Sequence, residues 1–246
     1  MAGAASAQEV EARVMLIAVD GTIGSGKKVV ARAIARHFGL PYLSTGLHYR
    51  AVAYQVMLNG GSPDLAGDAL AACDFPLEML EEPELQAEYI GGFASRLASH
   101  ADVREVLFKR QWKFAHRKGG CVLDGRDIGT VIAPDADAKL FLHADFAARL
   151  SRIHNRYLER EDPISLAEIA VDIMARDERD QTRTTAPLMR ANDALLLDTS
   201  SLNDAAAAAE GIRIVSDHLA QMSGTPFAGS VDPPGPAGAG PAAPPA

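Results

Sequence analysis

The residues Gly21-Thr22-Ile23-Gly24-Ser25-Gly26-Lys27-Lys28 carry the types and spacing of a phosphate cradle. Glycines let backbone N–H groups turn onto an anion, and a helix starting at the end of the loop adds the positive end of its dipole. Lys27 would then reach the terminal phosphates of a bound nucleotide. The next position calls for Ser or Thr, and here it is Lys28, followed by Val29. The bland alternative is a glycine-rich turn with a surface lysine. The flanks oppose it: an apolar run, Val14-Met15-Leu16-Ile17-Ala18-Val19, precedes the loop, and an amphipathic stretch at 29–38 follows.

Further constellations extend the chemistry. Thr45-Gly46-Leu47-His48-Tyr49-Arg50 opens a helix just past a second extended piece, so Arg50 is placed to grip a second phosphate or to be an ordinary exposed helix arginine. His48 reads as a packing or surface residue rather than a general base. In Asp124-Gly125-Arg126-Asp127-Ile128-Gly129-Thr130, an Arg-Asp pair lies between glycines at a strand end. A guanidinium suits phosphate and a carboxylate suits base or ribose donors; a turn held by an internal ion pair is the alternative. Arg176, Arg179, Asp180 and Arg183 share one helix face by their spacing, and Arg149, Arg152 and Arg156 form a second such series. Mixed-charge helix faces are usually solvated and self-paired. Beside a phosphate loop, two of them suggest a lid over a transferring phosphoryl group.

The elements that must position these residues alternate in type. Strands are expected at 14–20, 41–44, 121–124, 138–142 and 194–198, the last one buried. Helices are expected at 27–38, 45–58, 145–160, from about Ser165 with Glu168 completing a capping box, and at 203–219, with Pro163 as a break. Near-continuous apolar strands between helices predict a parallel sheet covered on both faces, with ligands at its carboxyl ends. The stretch 59–119 holds no comparable strand and reads as a mostly helical lobe. Residues 1–13 and the Pro/Gly/Ala-rich 221–246 cannot bury enough apolar surface to offset ordering and are expected to be disordered.

Bulk properties narrow the functional class. Lys and Arg total 24 against 32 Asp and Glu, a formal charge of −8, which argues against general nucleic-acid or membrane-surface binding. Any phosphate site must be a local cationic cluster. Cys73 and Cys121 stand far apart, so neither a disulfide framework nor a CxxC metal site is expected, and a cytoplasmic, monomeric protein is the default. Residues 1–13 have no apolar core of a signal peptide, and no apolar run approaches the ~18 residues of a membrane span.

Taken together, the motifs resemble the cytidylate kinase family, nucleoside monophosphate kinases of the phosphate-loop group. Tyr42-Leu43-Ser44-Thr45-Gly46 with Tyr49-Arg50 resembles the family's YLDTG…YR, residues 124–131 match DGRDIGTV, and 176–183 followed by Ala186-Pro187-Leu188 resembles RDxRDxxR…APL. The resemblance covers 15–219. It implies an α/β fold, a five-stranded parallel sheet flanked by helices, with kinase domain 14–220, a short CMP-binding insertion at 59–119 and a helical arginine lid at 145–183. The reaction implied is phosphoryl transfer from ATP to CMP or dCMP with Mg²⁺.

By the same resemblance, Gly21, Thr22, Ile23, Gly24, Ser25, Gly26, Lys27, Lys28 and Val29 cradle ATP. Thr45, Tyr49, Arg50 and Arg126 surround the CMP phosphate, Ser95, Arg104 and Asp127 read cytosine, and Arg176 and Asp180 hold the sugar. Lys27, Arg126, Arg183 and the lid arginines Arg149, Arg152 and Arg156 serve catalysis; no metal ligand is assigned. The chain departs from the family at Lys28 and Val29, where a glycine and a hydroxyl are usual, and at Ser44, which replaces an aspartate. His48, Trp112 and Ile153 are further departures, the last interrupting the arginine row. The changes cluster at the metal and γ-phosphate end, leaving an impaired CMP-binding protein, or a kinase for another small molecule, as alternatives to the active enzyme.

Overall fold

The structure, a computed structural model, describes residues 15–160 and 164–223. Its centre is a parallel sheet of β1 (Leu16–Gly21), β2 (Tyr42–Ser44), β3 (Cys121–Gly125), β4 (Ala138–His143) and β5 (Leu195–Asp198). The strand order is β2-β3-β1-β4-β5. β1 pairs with β3 through Ile17↔Val122 and Val19↔Asp124, and with β4 through Val19↔Leu140. The chain leaves β1 in one direction and β3 in the other, so a crevice opens between their carboxyl ends.

Helix α1 (Lys27–Phe38) forms because Val30, Ala31, Ile34 and Ala35 recur at helical spacing and pack against the sheet and α8 (Asp204–Ser223). Full burial of Val30 and Ile34 stabilises the fold by about 1.5–3 kcal/mol each. α1 ends at Gly39, whose φ of 65° gives the left-handed turn that donates back to Ala35 and Arg36 carbonyls. α2 (Thr45–Leu58) is apolar on most sides because it lies between the sheet and a second core. That core joins Ala51, Val52 and Val56 to residues of α3 (Ala66–Ala71), two 3₁₀ turns (Leu77–Glu81 and Pro83–Gln86), α4 (Glu88–Leu97) and α5 (Ala101–Ala115). No strand occurs between 59 and 119, as the sequence led us to expect.

The expected helix at 145–160 is α6 (Phe146–Leu158), and the one from Ser165 is α7 (Leu166–Thr182), whose capping box of Ser165 and Glu168 is formed. Ile23, Ile153, Tyr157, Ile169 and Ile173 make a small core of their own. Ile153 therefore breaks the arginine row because its position faces inward.

Two expectations need correction. β5 is an edge strand in which Leu197 alone is buried and Leu196 is half exposed, since it has one strand neighbour and one covered face. The closing helix runs on to Ser223, so residues 221–223 belong to α8 rather than to the tail. Pro163, residues 1–14 and 224–246 lie outside the described residues. Both cysteines are free and buried, and no described helix is long and apolar enough to cross a membrane.

Candidate active site

The phosphate loop sits at the carboxyl end of β1, held from behind by its carbonyls. The Thr22 carbonyl accepts from Ser25 Oγ at 2.9 Å and from Lys27 Nζ at 3.2 Å. Arg149 Nη1 donates to the Ile23 carbonyl at 3.4 Å, Arg152 Nη1 to Gly24 at 3.1 Å, and Thr199 Oγ1 to Ser25 at 3.0 Å. A planar trans peptide whose carbonyl faces the protein presents its N–H the other way, toward a ligand. Gly24, at φ 74°, also lies so close to α6 that a Cβ would meet Arg149 Cβ at 3.0 Å. α1 begins at Gly26 with no acidic residue in its first turn, leaving its positive end free for an anion.

A single cavity joins this loop to the ends of β2 and β3, the insertion and α7. Its walls include Gly24, Lys27, Lys28, Thr45, Tyr49, Arg50, Ser95, Arg104, Arg126, Asp127, Arg156, Arg176, Asp180 and Arg183. These are thus the sequence-expected residues that the fold brings together. Thr45 Oγ1 donates to the Asp124 carbonyl at 2.9 Å, tying the start of α2 to the end of β3. Arg126 Nε meets Asp180 Oδ2 at 2.7 Å, and Arg104 pairs with Asp127, both nearly buried. Arg183 stands 3.8 Å from Asp180 and 3.9 Å from Asp127, its Nη2 buried without a hydrogen-bond partner. A buried orphan N–H of this kind is satisfied when an anion enters.

Arg149 and Arg152 are placed otherwise than expected. Neither lines the cavity: Arg149 pairs with Asp177 at 2.7 Å, and Arg152 also donates to Thr199 Oγ1 at 3.1 Å and to the Leu202 carbonyl at 2.9 Å. Their positions on α6 turn them to the back of the phosphate loop, where backbone carbonyls claim them. Arg156, on the same series, does face the cavity, 3.2 Å from Glu88 Oε1. His48 is buried against Phe75 with its pKa lowered to about 4 by desolvation and the nearby Arg110, which suits a packing role. Trp112 is half exposed, stacked on His116 away from the cavity.

Electrostatics mark Lys27. Burial, then the charge of Arg126, lowers its pKa to about 7. Tyr49 is pushed up to about 12 by burial, against the pull of the Arg104 guanidinium over its ring. Asp20, at the end of β1, accepts from the Ile128 and Gly129 N–H groups at 2.9 and 2.8 Å, fixing the turn after Arg126-Asp127. Burial raises its pKa to about 7.

Several site residues escaped the sequence reading. Glu88, buried, lies 3.8 Å from Arg176 as well as beside Arg156, and its carbonyl accepts from Arg176 at 2.7 Å. Gly91, one turn on, leaves room for two guanidiniums: a Cβ there would stand 2.5 Å from Arg50 Nη2 and 2.7 Å from Arg176 Nη1. Nothing in the insertion's sequence flags them, because their partners lie on α2, α6 and α7.

The donor set fits only a loosely held metal. No group of three or more metal-binding side chains occurs among the described residues. Of the cavity carboxylates, Glu88, Asp127 and Asp180 are paired with arginines, while Asp124 accepts from the Tyr42 hydroxyl at 2.5 Å. Such a site suits a magnesium ion carried by nucleotide phosphates and water, with Asp124 alongside.

A family model described as cytidylate kinase matches residues 17–216. The chain belongs to the cytidylate kinase family. It is 44% identical over 201 residues to the cytidylate kinase of Xanthobacter autotrophicus strain Py2, covering 82% of this chain and 97% of that relative. It is 44% identical over 212 residues to the cytidylate kinase of Brucella suis biovar 1, covering 85% and 96%. Among solved structures, an uncharacterized protein from Eubacterium ventriosum shares the fold at a TM-score of 0.50 and 16% identity, over 83% of this chain and 99% of that one.

Proposed function

We propose that the protein transfers the γ-phosphoryl group of ATP to CMP or dCMP, giving ADP and CDP or dCDP. The observation that carries this is the convergence of Lys27, Arg50, Arg126, Arg156 and Arg183 on one cavity between the phosphate loop and the insertion. Transfer between two phosphates needs charge neutralisation, alignment and exclusion of water rather than a covalent intermediate or a strong base. The loop amides and Lys27 hold the donor, while Arg50 and Arg126 hold the acceptor phosphate. Arg156 and Arg183 meet the charge that develops between them. Arg149 and Arg152 act behind the loop, keeping its carbonyls turned away. Magnesium, when carried in by the triphosphate, neutralises its oxygens.

The buried Arg104–Asp127 pair, with Ser95 in the same cavity, supports a reading of base recognition. A guanidinium and a hydroxyl donate to the cytosine O2 and N3, and a carboxylate accepts from the exocyclic amine. Uracil presents an oxygen in place of that amine, which would face the Asp127 carboxylate, so UMP is the poorer acceptor. Arg176 and Asp180 border the sugar. Such a protein works in the cytoplasm and as a monomer, with no nucleic-acid partner.

The test is CDP formation from ATP and CMP with magnesium, with UMP, AMP and shikimate as competing acceptors. CMP-dependent turnover supports the reading. Tight CMP binding with no turnover would replace it by a CMP-binding protein, and turnover only on another acceptor would make it a different kinase.

A further inference from the structure

Lys28 does not do what its place in the phosphate loop suggests. Its side chain leaves the loop and crosses the mouth of the cavity to the insertion, where Nζ donates to Gln86 Oε1 at 2.6 Å. Gln86 closes the second 3₁₀ turn of the insertion. The carbonyls on either side of it, Leu85 and Ala87, both accept from Arg50 Nη1, at 2.8 and 2.7 Å. One short strap therefore orients two cations that come from different elements, α1 and α2. Both line the same cavity, together with Arg156 and Glu88.

We propose that Lys28 is an acceptor-side residue, a clasp from the donor loop to Gln86 that sets a second cation beside Arg50 at the phosphate of the nucleoside monophosphate. The inference rests on the reading of this cavity as the CMP site. It follows that the loop departure at position 28 is not a defect in ATP binding, because the ammonium is spent across the cleft. The clasp also links closure of the insertion to the phosphate loop. An acceptor phosphate entering under the strap meets both cations already held by Leu85, Gln86 and Ala87. Burial, and after it the charge of Arg32, favours loss of the Lys28 proton, so an anion that shares the ammonium with Gln86 is welcome there.

The test compares wild type with K28M, K28R and Q86L, all as the full chain. CMP binding is read by calorimetry without ATP, and KM values for ATP and CMP by steady-state assay. A phosphate contact from a charged donor is worth roughly ten-fold or more in affinity. K28M should weaken CMP binding about ten-fold while the KM for ATP stays within about two-fold, and K28R should restore most of the loss. Q86L should weaken CMP less, and K28M with Q86L no more than K28M alone, because the two act as one unit. If wild type binds CMP and K28M binds it equally well, the clasp is wrong and the cavity's assignment stands. A loss confined to ATP would likewise overturn it. If wild type itself fails to bind CMP, the assignment of the cavity falls and takes the clasp with it.

Discussion

Arg126 Nε donates to Asp180 Oδ2 at 2.7 Å, joining the turn after β3 to α7 in the wall of the cavity. Asp180 also stands 3.8 Å from Arg183, so one carboxylate spaces two guanidiniums that would otherwise repel each other. Asp180→Ala leaves Arg126 without its counter-charge and Arg183 with Asp127 at 3.9 Å. Removing one partner of a mostly buried pair costs about 3 kcal/mol, and urea denaturation should show a loss of that order. CMP should recover part of it, because its phosphate supplies the missing negative charge.

Lys27 gives the free enzyme a pH signature. A lysine whose pKa falls to about 7 on folding is neutral above that point, whereas the unfolded chain still holds the proton up to about 10.5. The unfolded state binds more protons in that window, so this group makes stability rise with pH between the two values. A bound triphosphate reverses the preference and restores the ammonium. ATP binding at pH 8 should therefore take up close to one proton, and affinity should fall as pH rises above 7. Calorimetry in two buffers of different ionisation enthalpy measures the uptake, which Lys27→Met should abolish.

Val29 removes a hydroxyl from the first turn of α1, and that loss is separable from Lys28. Val29→Thr keeps the branched shape and restores a donor to a charged phosphate, worth about 1.5–3 kcal/mol. The KM for ATP should drop at least ten-fold with little change for CMP. An unchanged KM would show that the loop amides and Lys27 already saturate the donor phosphates.

The two α6 arginines one turn apart, Arg152 and Arg156, should separate kinetically from structurally. Arg156 faces the cavity beside Glu88, so Arg156→Met should lower kcat by about 10²–10³ at modest change in stability. Arg152 donates only to the loop and to residues 199 and 202, and Arg152→Met should cost about 2 kcal/mol in stability. Thermal melts and single-turnover rates on both variants check the split.

Gly91→Ala probes the space that Arg50 and Arg176 occupy. Alanine is the better helix former by about 0.8–1 kcal/mol, and the atoms its Cβ would meet are the far ends of two flexible arginines. Displacing Arg50 and Arg176 breaks their hydrogen bonds to the Leu85, Ala87 and Glu88 carbonyls. That loss of about 1.5–3 kcal/mol per bond outweighs the helix gain, so both stability and CMP affinity should fall. Equal CMP affinity in the variant would show that those guanidiniums are free to reach the phosphate from elsewhere.

The elements were legible wherever local pattern and tertiary demand agree. The run Leu16-Ile17-Ala18-Val19 is apolar throughout because β1 is covered on both faces, and Lys27–Phe38 carries helical periodicity with glycines at either end. β5 was misjudged because apolar residues at a sheet edge look like those at its centre. Site residues were legible when they sit at strand ends or glycine turns, as Lys27, Arg50, Arg126 and Asp127 do. Glu88, Gln86 and Gly91 were not, since no spacing along the chain encodes a meeting with α2, α6 and α7.

By itself, the sequence determined the phosphate loop, the order of strands and helices, and the family motifs, because each depends on neighbours a few residues away. Only the tertiary structure decided which cations face the cavity. Arg149, Arg152 and Arg156 lie on one helix face, yet two are claimed by loop carbonyls and one is left to the site. Lys28 stands in the phosphate loop, yet its ammonium is held by Gln86, 58 residues along the chain. The physical reason is the same in both cases: a long flexible cation goes where an uncompensated oxygen is, and that oxygen belongs to a segment distant along the chain.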